Sequence, residues 1–350
     1  MSKIRIVNWI LTRRCNLKCE YCAIVKNYPN KPGSYPDMAH YIKNEMSTEM
    51  VIAGLRAFKI HNPNAFHIFY GGEPLLRKDL SIIINYCNEN KIFYTIISNN
   101  TPEIQPLIKK LMRETDYLEG FTSSVDPVFN EIGSSEDRVK KSVEGLKRLK
   151  MMQDSGFVKD VVAEITVMNH NKHLLYDLVG ELSDAGIYSD ITFVDIAKNI
   201  YYDFSNITDY SPLVKPTFEL AMLFNNMMDD DTLLIHMADV LLPMMYDTLP
   251  SNFDCQLENG IHNITVDADA SIRLCLRIRG SVTPQIFSLE NLFDLEDPER
   301  VSKAFLESIK TDKNRMCKLC NHSCLMMSKY IDESGDGEDD LVHIDKREDK

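Results

Sequence analysis

Three cysteines stand close together in the segment Cys15-Asn16-Leu17-Lys18-Cys19-Glu20-Tyr21-Cys22. Thiolates at C-x3-C-x2-C spacing can hold three irons of a cubane, whereas a 4Fe-4S cluster ordinarily takes four cysteine ligands. One iron is then left open. An open iron serves simple electron storage poorly, but it can bind a small molecule directly. The competing chemistry is structural zinc, which wants four closed ligands, usually with paired C-x2-C spacing. Only three cysteines are near, and the loop contains no histidine, so the ligand count favours the open cluster.

A second group comprises Cys255, Cys275 and the run Cys317-Lys318-Leu319-Cys320-Asn321-His322-Ser323-Cys324. Five thiols cannot supply two ordinary four-cysteine clusters but suffice for one, with structural zinc on four of the five as the alternative. The chain has nine cysteines and no secretion signal, which points to a reducing compartment where clustered thiols hold metal. Cys87, alone in an apolar segment, reads as a buried core residue.

The elements that must position these loops follow from the hydrophobic pattern. Short β-rich runs alternate with amphipathic stretches, the mark of βα units around a parallel sheet. Strands are expected at IRIVNWIL from Ile4, FHIFY from Phe66, FYTIIS from Phe93, LEGFTSSV from Leu118, VVAEITVM from Val161 and ITFVDI from Ile191. Helices are expected near 47–61, 79–90, 103–113, 136–152 and 171–185, with Ser47 capping the first, Glu49 in its first turn, and Gly186 closing the fifth. The cysteine triplet then follows strand one at the C-terminal mouth of the sheet. Gly71-Gly72-Glu73-Pro74 follows strand two, Ser98-Asn99-Asn100 strand three, and Ser124-Val125-Asp126 strand four. A double glycine allows a tight turn and close backbone approach to a ligand, and Glu73 can accept hydrogen bonds from an ammonium group. Ser, Asn and Asp at strand ends can bind polar ligand groups, or can simply serve turns and caps, as Asn171 after strand five also can.

The triplet, with Tyr21 before its last cysteine, closely resembles the signature of the radical S-adenosylmethionine (SAM) superfamily, and residues 71–74 resemble its GGEP motif. Ser98-Asn99-Asn100 and Ser124-Val125-Asp126 look like its TNG-type and SxD-type positions, and Asn171 matches a further one. The resemblance implies a partial (β/α)6 TIM-like barrel open on one side. Cys15, Cys19 and Cys22 would hold the catalytic cluster, and Tyr21, Gly71, Gly72, Glu73, Ser98, Asn99, Ser124, Asp126 and Asn171 would lie about the bound SAM. It further implies reductive cleavage of SAM to a 5′-deoxyadenosyl radical, which takes hydrogen from a peptide or small-molecule substrate, with a flavodoxin- or ferredoxin-type electron donor. The run Asp269-Ala270-Ser271-Ile272-Arg273-Leu274-Cys275 resembles the G-x4-C element of SPASM and Twitch domains, with Ala270 where the family has glycine. That implies a second 4Fe-4S cluster on Cys255, Cys275, Cys317 and Cys320, Cys324 being spare or replacing one of them, which would take the electron left on the substrate. An iron-sulfur carrier or a zinc-stapled binding module is the rival reading.

The 350 residues accordingly divide into a barrel at 1–204, a helical linker at 205–249, a small auxiliary iron-sulfur domain at 250–330 and an acidic tail at 331–350 that reads as disordered. Met222, Met227, Met228, Met237, Met244 and Met245 at helical spacing read as core filler. A net charge of −13 excludes a nucleic-acid backbone as main partner, and the absence of a membrane-length apolar run points to a cytoplasmic protein. Fourteen residues before Cys15 leave no room for a peptide-recognition domain, which can be a separate protein.

Overall fold

The computed structural model describes residues 6–17, 19, 42–113, 115–125, 135–168, 171–193, 218–236 and 263–273. Six strands, β1 (Ile6–Thr12), β2 (Phe66–Gly71), β3 (Tyr94–Ser98), β4 (Leu118–Ser124), β5 (Asp160–Val167) and β6 (Tyr188–Phe193), pair in parallel with their sequence neighbours. The connections carry α1 (Thr48–His61), α2 (Leu80–Glu89), α3 (Gln105–Arg113), α4 (Ser135–Asp154) and α5 (Leu175–Asp184), and α6 (Phe218–Met228) follows β6. A strand, crossover helix and parallel strand repeated in strict order is the expected (β/α)6 arrangement. β7 (Asn263–Val266) adds to the free side of β1 in parallel, and β8 (Ile272–Arg273) folds back on it, so the order is β6-β5-β4-β3-β2-β1-β7-β8. Residues 263–273, which the sequence sets among the cysteine-bearing pieces, thus continue the main sheet.

Alternation along each strand separates two faces. Val7, Trp9 and Leu11 of β1, Phe69 of β2, Tyr94 and Ile96 of β3, Phe121 of β4 and Ile165 of β5 are fully buried with Val51, Leu55 and Phe58 of α1 and Ile83 of α2. Burying such side chains contributes about 1.5–3 kcal/mol each, which makes this the stabilising layer. Trp9 donates through Nε1 to His67 Nδ1 at 3.0 Å, and burial pushes the His67 pKa down to about 3, so the imidazole stays a neutral acceptor. Cys87 is buried as expected, and burial pushes its thiol up to about 12. On the opposite face, Ile10 packs with Ala268 and Tyr70 in a small second cluster beside β7.

The boundary signals act as the sequence predicts. Ser47 Oγ accepts from Met50 N at 3.3 Å to cap α1, and Gly186, past α5, takes a left-handed φ of +69°. β6 begins at Tyr188, three residues earlier than expected. Of the methionines, Met227 is buried while Met222 and Met228 are exposed; Met237, Met244 and Met245 lie outside the described residues.

Candidate active site

Three loops at the C-terminal end of the sheet meet around Cys15. The first leaves β1 through Thr12, Arg13 and Arg14. Arg77, 7% exposed, straps it from behind, donating to Leu11 O at 2.8 Å and to Met46 O at 2.7 Å while its own charge is met by Asp79 at 2.9 Å. On the other side Arg13 forms a two-pronged pair with Asp267 beyond β7, Nε to Oδ1 at 2.9 Å and Nη2 to Oδ2 at 2.6 Å.

The second loop is the Gly-Gly-Glu-Pro turn. Gly72 N donates to Thr12 O at 2.7 Å and Glu73 N to Arg14 O at 2.7 Å, so the turn lies flat against the chain that enters the cysteine loop. This is why glycine is required here. A Cβ at Gly71 would stand 2.2 Å from Thr12 O, and one at Gly72 2.1 Å from Arg14 O. The close approach read from the sequence is therefore to the cysteine loop's own backbone. Gly71 also adopts φ +152°, disfavoured for other residues.

The third loop ends β3. Glu73, fully buried, turns its carboxylate toward it: Oε1 accepts from Leu75 N at 3.0 Å, Oε2 from Asn99 N at 2.8 Å, and Ser98 Oγ lies 3.1 and 3.0 Å from the two oxygens. Burial pushes the Glu73 pKa up to about 7, against the pull of these donors. Asn100 then takes a left-handed φ of +47°, the conformation that glycine supplies in a TNG-type turn and that asparagine tolerates. Asn99 Nδ2 reaches Asn16 Oδ1 at 2.8 Å and Cys15 Sγ at 3.7 Å, and Asn16 Nδ2 donates to Thr101 Oγ1 at 2.9 Å. Leu17 N adds a second N–H toward Cys15 Sγ at 3.4 Å.

Cys15 and Cys19 are partly exposed and outside any disulfide. Tyr21, Cys22, Asp126, Cys255, Cys275, Cys317, Cys320 and Cys324 lie outside the described residues. Among the described residues no group of three or more metal-binding side chains is assembled, two of the loop's three thiols being within them. Cys15 Sγ, a soft thiol donor beside backbone and amide N–H groups, suits a ligand of an iron-sulfur cluster, whose sulfurs accept such bonds.

Ser124 ends β4 on the face away from the helices. In register with it stand Glu164 of β5 and Asp190 of β6. Asn171, expected at the mouth or as a cap, is 4% exposed and turned onto its own strand end, Oδ1 accepting from Met168 N at 2.6 Å and Nδ2 donating to Thr166 O at 2.8 Å. At the far edge of β6, His236 Nδ1 meets Asp190 Oδ1 at 2.9 Å, and its ring stacks on Tyr188 with centroids 4.6 Å apart. The Asp190 hydrogen bond raises the His236 pKa, while burial opposes it. Sequence reasoning missed this pair, because His236 joins the sheet through one parallel bridge, Ser189 to Ile235, that no local pattern announces. It also missed Asn16, although an asparagine beside the first cysteine was there to be read.

The family model of the radical SAM superfamily matches residues 9–182, about half of the chain, and the match spans all three loops. The Fe-coproporphyrin III synthase of Methanosarcina barkeri is 28% identical over 202 residues, 50% of this chain and 45% of that one. An S-adenosylmethionine-dependent nucleotide dehydratase of Selenomonas ruminantium is 27% identical over 123 residues, 35% of this chain and 40% of that one. The chain thus spans under half the length of these relatives. Among solved structures, anSMEcpe with bound AdoMet superposes with a TM-score of 0.56 at 15% identity, covering 94% of this chain and 91% of that one. Streptococcus suis SuiB bound to its precursor peptide SuiA gives 0.55 at 14%, covering 85% of this chain and 66% of that one. At such identities these two likenesses establish the fold, a radical SAM α/β sheet with its helices. With the family match across the cysteine loop and the two loops that hold it, the chain belongs to the radical SAM superfamily.

Proposed function

We propose that the chain is a radical SAM enzyme that binds a 4Fe-4S cluster on Cys15, Cys19 and Cys22, cleaves SAM reductively and takes hydrogen from a peptide or small-molecule substrate. The observation that carries this reading is the hydrogen-bonded junction of the three loops. Residues 12–14, 71–73 and 98–101 fix the first residues of the cysteine loop, Cys15 to Leu17, at the C-terminal mouth, where a parallel α/β sheet keeps its chemistry. The cluster and SAM together supply one-electron cleavage of the sulfur–C5′ bond and hence a carbon radical able to take hydrogen. The chain's own part is to bind, orient and exclude water. Gly71, Gly72, Glu73, Ser98, Asn99, Ser124, Asp126, Asn171 and Tyr21 are the proposed surroundings of SAM. Glu164, Asp190 and His236, on the same sheet face beyond Ser124, are the proposed polar surroundings of the substrate.

We also propose an auxiliary 4Fe-4S cluster on Cys255, Cys275, Cys317 and Cys320, with Cys324 in reserve, taking the substrate's surplus electron. The solved relatives bound to SuiA and to the Cp18Cys peptide support a peptide substrate by analogy of fold, whereas the nucleotide dehydratase and the Fe-coproporphyrin III synthase support a small molecule. The test is anaerobic reconstitution followed by iron analysis and a strong reductant with SAM. About eight irons per chain and 5′-deoxyadenosine are expected, as two cubanes require. Iron near four would remove the auxiliary cluster, and cleavage persisting after Cys15, Cys19 and Cys22 are all replaced by alanine would overturn the assignment.

A further inference from the structure

Asn99 sits at the centre of the three-loop junction, and its bonds leave little choice of orientation. Its backbone N–H is held by Glu73 at 2.8 Å, and its Oδ1 accepts from Thr101 N at 3.1 Å. Its Nδ2 faces two acceptors, Asn16 Oδ1 at 2.8 Å and Cys15 Sγ at 3.7 Å, the latter within reach for the larger sulfur atom. Exchanging the amide oxygen and nitrogen would set an acceptor against two acceptors and a donor against the Thr101 N–H, so the network fixes the NH2 group toward the sulfur. The residue is 8% exposed, and the left-handed Asn100 that follows turns the chain away behind it.

Resting on the cluster reading above, we propose that Asn99 is a positioning residue for the cysteine-loop cluster, which holds the loop through Asn16 and donates an N–H···S hydrogen bond to Cys15 that makes the cluster easier to reduce. A thiolate ligand is an acceptor only, so loss of the Cys15 proton on metal binding strengthens the hydrogen bonds from Asn99 Nδ2 and Leu17 N. Hydrogen bonds to the sulfurs favour the more negative, reduced state, and partners of this kind are a recognised lever on cluster potential. Glu73 acts one step further back. By gripping Asn99 N and Ser98 Oγ it sets where the amide stands, so the buried carboxylate serves the cluster through Asn99.

The direct test uses the full wild-type chain, reconstituted and reduced, with asparagine labelled by 15N at the side-chain amide. Pulsed EPR should resolve a 15N coupling on the signal that vanishes when Cys15, Cys19 and Cys22 are replaced. Absence of that coupling overturns the proposal. Asn99→Ala should lower the midpoint potential of the same SAM-free signal and Asn99→Asp lower it further, with iron content held. A potential unmoved in both variants overturns it. Should neither variant assemble a cluster, the wild-type coupling alone decides. Failure of the underlying reading is distinct: it would show as a wild-type chain that takes up no iron and cleaves no SAM.

Discussion

The pair Arg13–Asp267 should behave as one buried charged unit joining the ends of the neighbouring strands β1 and β7 beside the cysteine loop. Arg13 is 5% exposed and Asp267 fully buried, the two bonds measure 2.9 and 2.6 Å, and Asp267 Oδ1 also accepts from Ala268 N at 2.7 Å. Asp267→Asn keeps the shape but removes the negative charge that faces the guanidinium in a place water does not reach. Breaking such a pair from one side costs about 3–5 kcal/mol. Arg13→Met removes the positive charge that faces Asp267, and a similar loss is expected. The double variant removes both charges, so it should be far less unstable than the two losses added, with a coupling of several kcal/mol where independent sites add to within about 0.5 kcal/mol. Urea unfolding of the full chain reads this directly: with a slope near about 3 kcal/mol per molar, each single variant should lower the midpoint by about 1 M or more. Additive losses in the double variant would refute the reasoning, and so would a single variant as stable as the wild type.

Three further outcomes follow from the same loops. Gly72→Ala places a methyl 2.1 Å from Arg14 O, so the turn must lift off residues 12–14; a loss of about 3 kcal/mol or more is expected by thermal unfolding, with poorer iron uptake on reconstitution. Ala270, at φ +65°, holds the left-handed position where glycine would be unstrained, so Ala270→Gly should stabilise by about 0.5–1 kcal/mol in urea unfolding, a destabilised variant arguing against the strain. The Glu73 pKa is raised from 4.5 to about 7 by burial, so the folded chain keeps this proton after the unfolded chain has lost it. Its contribution is therefore present below pH 4.5 and lost by about 3 kcal/mol as pH rises through 7; Glu73→Gln should flatten that part of the stability–pH curve, and an unchanged slope would contradict it.

The βα order and the placing of the three motifs at one mouth are legible in the sequence, because each strand is an apolar run and each motif lies directly after one. The sequence places β6 late, at Ile191, because Tyr188, Ser189 and Asp190 form no apolar run: Ser189 packs inward among the helices while Tyr188 and Asp190 turn to the other face. β7 was not separated from the cysteine-bearing pieces. It is four residues long, and its partner Ile6 lies far away in sequence at its pairing with Asn263, so nothing local marks it. Ala270 stands where the resembled family has glycine, and the turn forms with Ala270 N donating to Asp267 O at 2.9 Å, the strain being borne by one residue. The partners of Glu73, Asn99 and Arg13 were unreadable for one common reason: each joins loops that only the closed sheet brings together.

These joins change how the motif residues must be tested. Glu73, which the sequence offers to the ammonium group of SAM, also has its two oxygens engaged by Leu75 N, Ser98 Oγ and Asn99 N within the protein. In Glu73→Gln one oxygen becomes an NH2 group. Because Leu75 N–H and Asn99 N–H approach different oxygens, one of these backbone donors must then face a donor, whichever way the amide turns. A buried donor left without its acceptor costs about 1–3 kcal/mol, and the strain falls on the β3 loop that carries Asn99 to Cys15. A weaker grip on SAM in that variant would thus follow even if the carboxylate never touched the cofactor. The two origins separate on the cluster: if the variant removes only a direct bond to SAM, the SAM-free EPR signal and midpoint potential stay as in the wild type, whereas a shifted Asn99 changes both before any SAM is added.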